Sequence, residues 1–351
     1  MKTHRAVGIC AVLAGCSDAA TAPRVAVPDM TRSEIAVTST YSAEELPLPT
    51  GSLGNTNAVG INDGGDVVGL SDFPGAQRPV LWVGSTVTDL GLPPFGALAL
   101  VGGINNSRTI VGTAVDQFDI ERRGFIWQGG TFTVVPAPFS GNHVSFTAIN
   151  AGGVIAVNYN TTVNGFQHAG RYTTSGGFED LHPAGPYTFS AASAINDRGD
   201  VAGGVMRTDG HFHAAFWSAS GVFTELGLLP GGTFTSATGV NDNGAVVGSG
   251  SASGSSQSPF RWTSSSGLQF KPWQGQANAI SSRGRMVGAR VNGVQVAGTS
   301  LNNQMTSLPL PPGTVSPSVA MAVNRCGSAA GIVTKSSRTR AVRWTLAPCD
   351  P

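Results

Sequence analysis

The sequence has few charged residues and no excess of either sign. Charged residues make up 12% of the 351-residue chain, and the formal net charge at pH 7 is +1. An average soluble domain has about 25% charged residues. This composition lacks the basic patch of a nucleic-acid-binding protein and the charge density of a disordered tail. We therefore expect a folded chain with no nucleic-acid partner.

The composition also argues against a helical protein. The chain contains 48 Gly and 21 Pro residues, and both residue types are poor formers of helix interiors. Hydrophobic residues still account for 40% of the sequence, which is enough for a sizeable core. We therefore predict an all-β fold with many tight turns.

Long apolar runs are absent, and the run nearest the N-terminus is short. It covers residues 6–14, whereas a permanent membrane helix needs about 20 residues. It follows a basic start and leads into LAGC at residues 13–16, which resembles a bacterial lipobox. The resemblance implies that residues 1–15 are a lipoprotein signal peptide and that Cys16 carries the lipid; an ordinary signal peptide with an incidental cysteine is the alternative. We expect an exported protein anchored by Cys16 at the outer membrane or cell surface, with residues 16–33 as a flexible tether.

The rest of the chain consists of seven copies of one unit. The segments AVGINDGGDVVG at 58–69, SAINDRGDVAG at 193–203 and ATGVNDNGAVVG at 237–248 share one pattern. Counted from Asn62, the pattern recurs at intervals of 43, 45, 46, 45, 40 and 43 residues, and four-stranded propeller blades repeat every ~40–45 residues. We predict a seven-bladed β-propeller of four-stranded blades over residues 34–351.

Each copy carries the same local signals. An Asn or Ser opens a turn after the first strand, and a Gly follows three residues later in every copy except the second, which has Arg108. The left-handed backbone that suits Gly should leave Arg108 strained, unless its turn differs. The third strand ends in an aromatic residue in six copies, and the sixth copy has Thr299 in that place. The six aromatic residues are Trp82, Trp127, Tyr172, Trp217, Trp262 and Trp344.

The seventh copy lacks a fourth strand of its own. The ELPLP segment at 45–49 resembles the end of a fourth strand, such as ELGLLP at 225–230. We therefore predict that the N-terminal strand completes the seventh blade, which leaves no open edge in the ring. Cys326 and Cys349 would then emerge at the same end of this blade and could form a disulfide; two free thiols are the alternative.

The repeat resembles that of a known family. AINDRGDVAG at 194–203, followed by HAAFW at 213–217, is similar to the HAF family of extracellular bacterial repeats, and the likeness covers about residues 45–345. The resemblance implies an exported β-repeat protein and brings no catalytic residues with it. An open solenoid is the rival architecture, and the spare terminal strand favours the ring.

Ligands of propellers usually bind where variable loops meet near the axis, here the loops between a fourth strand and the next first strand. These loops contain no carboxylate, so we expect no catalytic pair of acids, no metal and no cofactor at this mouth. They contain aromatic and imidazole side chains that could bind a ligand instead. The candidates are Phe95, Phe139, His143, His182, Tyr187, Phe234 and Trp273.

Two functions remain in view. The first is a monomeric, lipid-anchored, non-catalytic binding scaffold for a glycan or a protein. The alternative is a propeller hydrolase or lyase acting on polysaccharide, with carboxylates from the loops between second and third strands. Those carboxylates are Asp72, Asp116, Asp119, Glu121 and Asp209.

Overall fold

The computed structural model describes residues 40–138, 143–161, 165–251, 257–301 and 303–349. The signal peptide, the tether, Cys16 and Phe139 lie outside these residues. Within them, every regular element is a β-strand. None of the described segments contains a helix with the length and apolarity needed to cross a membrane.

The strands form four-stranded antiparallel blades in the predicted repeat order. Blade 1 consists of β2 (Thr56–Ile61), β3 (Val67–Phe73), β4 (Ala76–Val83) and β5 (Thr86–Asp89). Blade 2 consists of β6 (Leu98–Ile104), β7 (Ile110–Val115), β8 (Arg122–Gln128) and β9 (Thr131–Val135). Blade 3 consists of β10 (Val144–Ile149), β11 (Ile155–Asn160), β12 (Gln167–Thr173) and β13 (Gly177–Asp180).

The next three blades repeat this order. Blade 4 consists of β14 (Tyr187–Ile195), β15 (Val201–Arg207), β16 (Phe212–Trp217) and β17 (Phe223–Gly227). Blade 5 consists of β18 (Phe234–Val240), β19 (Val246–Ser251), β20 (Ser258–Thr263) and β21 (Gly267–Phe270), and a single parallel pairing of Phe212 with Phe234 joins it to blade 4. Blade 6 consists of β22 (Gly275–Ile280), β23 (Met286–Asn292), β24 (Val294–Leu301) and β25 (Gln304–Ser307).

The seventh blade contains both ends of the described chain. Its strands are β26 (Val315–Val323), β27 (Ala329–Lys335), β28 (Arg338–Ala347) and β1 (Thr40–Glu45). β1 pairs antiparallel with β28, with Ala43 opposite Trp344. The predicted propeller fold and the completion of the last blade by the N-terminal strand are therefore confirmed.

The turns behave as their sequences predict. Gly65 has a φ of +80°, and Arg108 adopts the same left-handed conformation with a φ of +58°. Its guanidinium donates to Asp66 of the preceding blade through Nε, at 2.8 Å. Arg108 is therefore strained as expected, and this inter-blade contact offsets part of the cost.

One detail of the sixth copy is corrected by the strand register. Met286 of β23 pairs with Ser300, whereas the matching residue Val246 of β19 pairs with Trp262. Ser300, and not Thr299, therefore stands in the aromatic position. A shift of one residue along a strand moves a side chain to the opposite face, so the sequence alone placed the wrong neighbour there.

The blades pack through a recurring pair of side chains. A Leu or Val at or just after the end of the fourth strand of one blade shares a hydrophobic cluster with the aromatic residue of the next blade. Trp82, Trp217 and Trp344 are each at most 1% exposed, so burial of these pairs contributes strongly to stability. The pairs at six blade boundaries are Leu46–Trp82, Leu90–Trp127, Val135–Tyr172, Leu181–Trp217, Leu226–Trp262 and Leu308–Trp344.

A disulfide joins Cys326 to Cys349, whose Cα atoms are 4.7 Å apart. Cys326 lies in the turn between β26 and β27, and Cys349 follows β28. The bond therefore ties the C-terminal end of the described chain to the first turn of its own blade.

Candidate functional site

A cavity of about 160 Å³ opens on the propeller axis at the face that carries the Asn turns. The last residue of each first strand supplies an apolar ring, and the residues of the turns supply a polar ring outside it. The first strands are therefore the innermost strands. The apolar ring consists of Ile61, Ile104, Ile149, Ile195, Val240, Ile280 and Val323.

Amide side chains link the blades around this cavity. Each turn Asn donates from Nδ2 to the backbone carbonyl of the equivalent residue in the next blade, as Asn196 does to Asn241 at 2.8 Å. The same bond runs from Asn324 of blade 7 to Asn62 of blade 1, at 3.0 Å. The remaining donors and acceptors are Asn62 to Asn105, Asn105 to Asn150, Asn150 to Asn196, and Asn241 to Ser281.

Carboxylates add further links outside the amide ring. Asp63 accepts the backbone N–H of Arg325 at 2.9 Å, and Asp242 accepts that of Asp197 at 2.9 Å. The Arg325 guanidinium lies 3.5 Å from Asp63 and 3.7 Å from Asp197. The polar groups at the axis are thus used largely to hold the blades together, which accounts for the repeated Asn-Asp pattern without a ligand.

The described side chains that the sequence selected as ligand candidates do not line this cavity, which lies at the face opposite to the loops that carry them. The Phe95 ring, at a φ of +80°, packs 3.9 Å from the Arg123 guanidinium. Phe234 stacks on Phe212 with ring centroids 5.8 Å apart, and Trp273 packs against the core between blades 5 and 6. These three side chains belong to separate blade boundaries.

The selected histidines make local contacts. The Nδ1 atom of His143 lies 3.3 Å from Asn160 Nδ2, and its Nε2 atom lies 3.2 Å from the Ile120 carbonyl. His182 lies 2.9 Å from the Ser190 hydroxyl and stacks on His168, with ring centroids 4.0 Å apart. No group of three or more potential metal ligands occurs among the described residues.

Most carboxylates of the alternative function are engaged locally. Asp72 accepts from Asn55 and Gln77, and Asp116 accepts backbone N–H groups within its own loop. Asp119 binds Arg122 through two bonds of 2.7 Å, and Glu121 binds Arg123. The hydrogen bond with Arg122 and the Arg122 charge lower the pKa of Asp119 against the opposing effect of burial. Asp209 alone adjoins a larger cluster.

That cluster lies in blade 4, where four side chains meet. Tyr187 donates its hydroxyl to Glu225 Oε2 at 2.6 Å, and Arg207 Nη1 donates to the same oxygen at 2.8 Å. His213 Nδ1 contacts the other carboxylate oxygen, Oε1. His213 is 8% exposed, and its Nε2 atom makes no hydrogen bond to the described residues. We call these four residues, with Asp209 and His211, the blade 4 cluster.

The accessible side of the blade 4 cluster carries Asp209 and His211. Asp209 accepts from Arg207 Nε at 3.3 Å and from the backbone N–H of His211 at 3.0 Å. The His211 ring lies nearly parallel to that of His213, with centroids 6.4 Å apart. A solvent-exposed imidazole therefore lies beside Asp209 and His213 at the edge of the cluster.

The electrostatics of the blade 4 cluster keep the carboxylates ionised. Burial raises the pKa of Glu225, but the hydrogen bond from Tyr187, the neighbouring His213 and Arg207 outweigh burial and hold the pKa below its ordinary value. Burial and the bond to Glu225 raise the pKa of Tyr187 to about 12. The backbone hydrogen bond from His211 is the main cause of a lowered pKa at Asp209. The cluster therefore combines two carboxylates with a phenol that stays protonated at neutral pH.

The repeat shows how this cluster differs from the framework. The position four residues before the aromatic residue is Arg78 in blade 1 and Arg340 in blade 7, and each binds a carboxylate of the fourth strand. In blade 4 the same position is His213, and the carboxylate is Glu225. An arginine does not exchange its proton near neutral pH, whereas a histidine does. The sequence carried this signal, since His213 and its blade 3 counterpart His168 share one repeat position, but the partners Tyr187, Arg207 and Glu225 were missed as a group.

Comparison with solved structures identifies the same fold in catalytic proteins. Virginiamycin B lyase from Staphylococcus aureus matches with a TM-score of 0.53 and 13% identity, covering 88% of this chain and 99% of that one. Puromycin hydrolase matches with a TM-score of 0.55 and 10% identity, covering 83% of this chain and 52% of the hydrolase, so this chain spans about half the hydrolase. The β-propeller domain of the trilobed protease from Pyrococcus furiosus matches with a TM-score of 0.54 and 8% identity, covering 83% and 93%. No protein-family model and no curated protein matches the sequence.

These matches correct one expectation. The non-catalytic binding scaffold predicted from the sequence is contradicted, because the matching propellers belong to a lyase, a hydrolase and a protease. At these identities the likeness shows the fold alone. The reaction has to be argued from the residues of this chain.

Proposed function

We propose that this propeller is a lyase that cleaves an acidic polysaccharide by β-elimination at the blade 4 cluster. The observation that carries the proposal is the meeting of Tyr187, Arg207, His213 and Glu225, with His211 on the accessible side. In blades 1 and 7 this locus holds an arginine–carboxylate pair, and in blade 3 it holds the His168–Asp180 pair, so Tyr187, Arg207 and His211 distinguish the blade 4 cluster from a histidine–carboxylate pair alone.

Elimination next to a sugar carboxylate needs three groups. A cation must neutralise the carboxylate so that the adjacent C–H becomes acidic, a base must take that proton, and an acid must protonate the leaving oxygen. Arg207 is half-buried and is held in place by Asp209 and Glu225, and a substrate carboxylate would take the place of the exposed Asp209 as its partner. His211 is the accessible base, since a neutral imidazole accepts a proton near pH 7.

The bond changes then balance within the substrate. His211 takes the proton next to the carboxylate, the C–H electron pair forms the new C=C bond, and the C–O bond to the leaving sugar breaks. The leaving oxygen takes a proton from Tyr187, whose pKa of about 12 keeps it protonated until that step. Glu225 and His213 act as positioning residues, because they hold Tyr187 and Arg207 and are themselves largely buried.

The carboxylates favour elimination over glycoside hydrolysis. Hydrolysis needs one carboxyl group that is protonated at working pH and a second that is ionised. The pKa of Glu225 and that of Asp209 are both held below their ordinary values, so neither can serve as that acid.

The test is an assay of the purified protein on polysaccharides rich in uronic acids, following the ultraviolet absorbance of the new conjugated double bond. We expect His211→Ala and Tyr187→Phe each to lower kcat by about 100-fold or more, because general acid–base catalysis typically contributes a rate factor of that size. Arg78→Ala is the matched control, because it removes the equivalent ion pair in blade 1, and it should leave kcat unchanged. Cleavage by addition of water, or equal loss in the control, would refute the proposal.

We also propose that the enzyme acts outside the cytoplasm, anchored by lipid on Cys16. The LAGC segment supports this location, and so does the disulfide, since such bonds persist in oxidising compartments. Labelled fatty acid should be incorporated into the wild-type chain and not into Cys16→Ser.

A further inference from the structure

The boundary between blades 5 and 6 departs from the packing rule of the other six. The backbone N–H of the residue after the fourth strand bonds the carbonyl of the third strand, as Leu181 does to Ala169 and Leu308 does to Ala297, each at 2.9 Å. In blade 5 the same bond runs from the backbone N–H of Lys271 to the carbonyl of Pro259, at 2.9 Å. Lys271 is 6% exposed, so this boundary buries an ammonium group where the others bury a leucine or valine.

The partner of that residue has changed as well. The aromatic residue of blade 6 is replaced by Ser300, which is 2% exposed. Its hydroxyl makes no hydrogen bond to the described residues. Lys271 and Ser300 both line a pocket of about 280 Å³ between the blades.

The same pocket gathers further positive charge. Arg261 and Arg283 line it with Lys271, and Gln269 and Asn303 supply amides. Arg261 pairs across the strands with Gln269, whereas the equivalent Arg171 and Arg343 pair with Glu179 and Glu44.

The missing carboxylate leaves Arg261 without its usual partner. Arg171 and Arg343 each bind their glutamate at 2.6–2.7 Å, and that bond has no counterpart at Arg261. The Nε atom is buried without a hydrogen-bond partner among the described residues in all three arginines, so the missing carboxylate is what sets Arg261 apart.

Acidic residues are absent from the segment of the chain that contains this pocket. Residues 243–349 contain ten Lys and Arg residues and no Asp or Glu. Lys271 Nζ contacts the Asn303 side-chain oxygen, and neither Lys271 nor Arg261 forms an ion pair in the part of the chain that the structure describes. A buried ammonium without an anion is strongly unfavourable, so the site is complete only with an anionic ligand.

We propose that the pocket formed by Arg261, Lys271 and Ser300 binds a tetrahedral oxyanion, the phosphate or sulfate group of a small ligand. Guanidinium and ammonium groups give charge-assisted bonds to such oxygens from several directions, and the Ser300 hydroxyl adds a neutral donor. Burial and the charge of Arg261 lower the pKa of Lys271, as expected for an ammonium without a counter-ion. This site is separate from the blade 4 cluster and does not depend on the proposed reaction.

The experiment measures thermal stability and calorimetric binding of the purified protein with inorganic phosphate and with sulfate, against chloride at equal ionic strength. We expect saturable binding and a rise in Tm. Lys271→Leu restores the residue that the other blades use, so it should fold, and it should weaken phosphate binding by about tenfold or more. Arg261→Gln should have a similar effect.

Lys335→Met is the matched control, because Lys335 is the only other lysine among the described residues and is bound to Glu45. It should bind phosphate as the wild type does. Equal binding by Lys271→Leu and the wild type, or no saturable response beyond that of chloride, would overturn the proposal. Glucose 6-phosphate and glucose 6-sulfate would identify the source of the oxyanion, and binding of glucuronate in place of all of these would contradict a tetrahedral site.

Discussion

Two blade boundaries use the same positions for different purposes. Between blades 3 and 4, Leu181 packs with Trp217, and Arg171 is neutralised by Glu179 while it donates to the Gly199 and Ala219 carbonyls. Between blades 5 and 6, the corresponding residues include Lys271, Ser300, Arg261 and Gln269.

Both boundaries contain a pocket, of about 310 Å³ between blades 3 and 4 and about 280 Å³ between blades 5 and 6. They differ in charge: Arg171 is paired with Glu179, whereas neither Lys271 nor Arg261 has an ion-pair partner among the described residues. Because the backbone hydrogen bonds are the same, the difference comes from side chains alone. In a repeat of this kind, the residues that recur from blade to blade build the framework. A buried residue that departs from the repeat therefore marks a position with a separate role.

The largest effect is expected from disrupting the boundary between blades 3 and 4. Trp217→Ala should lower the free energy of unfolding by about 3–5 kcal/mol, because it removes a fully buried ring and leaves a cavity against Leu181. Urea denaturation measures the change. A loss below about 1 kcal/mol would mean that the Leu–Trp pairs do not hold the blades together.

The reverse experiment fills the pocket between blades 5 and 6. Lys271→Leu combined with Ser300→Trp rebuilds the pair used elsewhere, and we expect about 1–3 kcal/mol of added stability because an unpaired buried ammonium is removed. Differential scanning calorimetry with and without phosphate measures both consequences. The double variant should be insensitive to phosphate, and a response like that of the wild type would contradict the comparison.

A smaller effect is expected from exchanging the fourth-strand partners. Glu179→Gln gives blade 3 the amide found in blade 5, and it should cost about 1 kcal/mol, because Arg171 is buried but Glu179 is half-exposed. Gln269→Glu is the reciprocal variant and should stabilise the protein while weakening phosphate binding. Unfolding curves of the two variants that shift in the same direction would show that the partners are not equivalent.

The smallest effect concerns pH. Burial, followed by the charge of His168, lowers the pKa of His182 below the ordinary histidine value of 6.5. The unfolded chain then binds the proton more tightly than the folded one, so stability is present above about pH 6.5 and is lost as the pH falls through the folded value. His182→Gln should flatten the dependence of Tm on pH in that window. Residues 243–349 contain no histidine. An unchanged slope of Tm against pH in the variant would therefore mean that the acid sensitivity comes from the other histidines, in blades 3 and 4.

Much of the fold could be predicted because its signals are local. The Asn-to-Gly turns recur beside the ends of strands, and turn chemistry depends on a few adjacent residues. The candidate site was harder, because Tyr187, Arg207 and Glu225 belong to three different strands and meet only through the register of the blade. The misplacement of Thr299 has the same origin, since a shift of one residue exchanges the faces of a strand.

The sequence by itself determined the number of blades, the strand order within each, and the sharing of the seventh blade between β1 and β28. Each follows from a spacing or a terminal segment that can be read along the chain. Only the tertiary structure decided which side chains share a boundary, so that Lys271 meets Ser300 and Arg283 of the next blade, and His213 meets Glu225. Those meetings depend on strand register and blade packing, which bring together residues that are not adjacent in the chain.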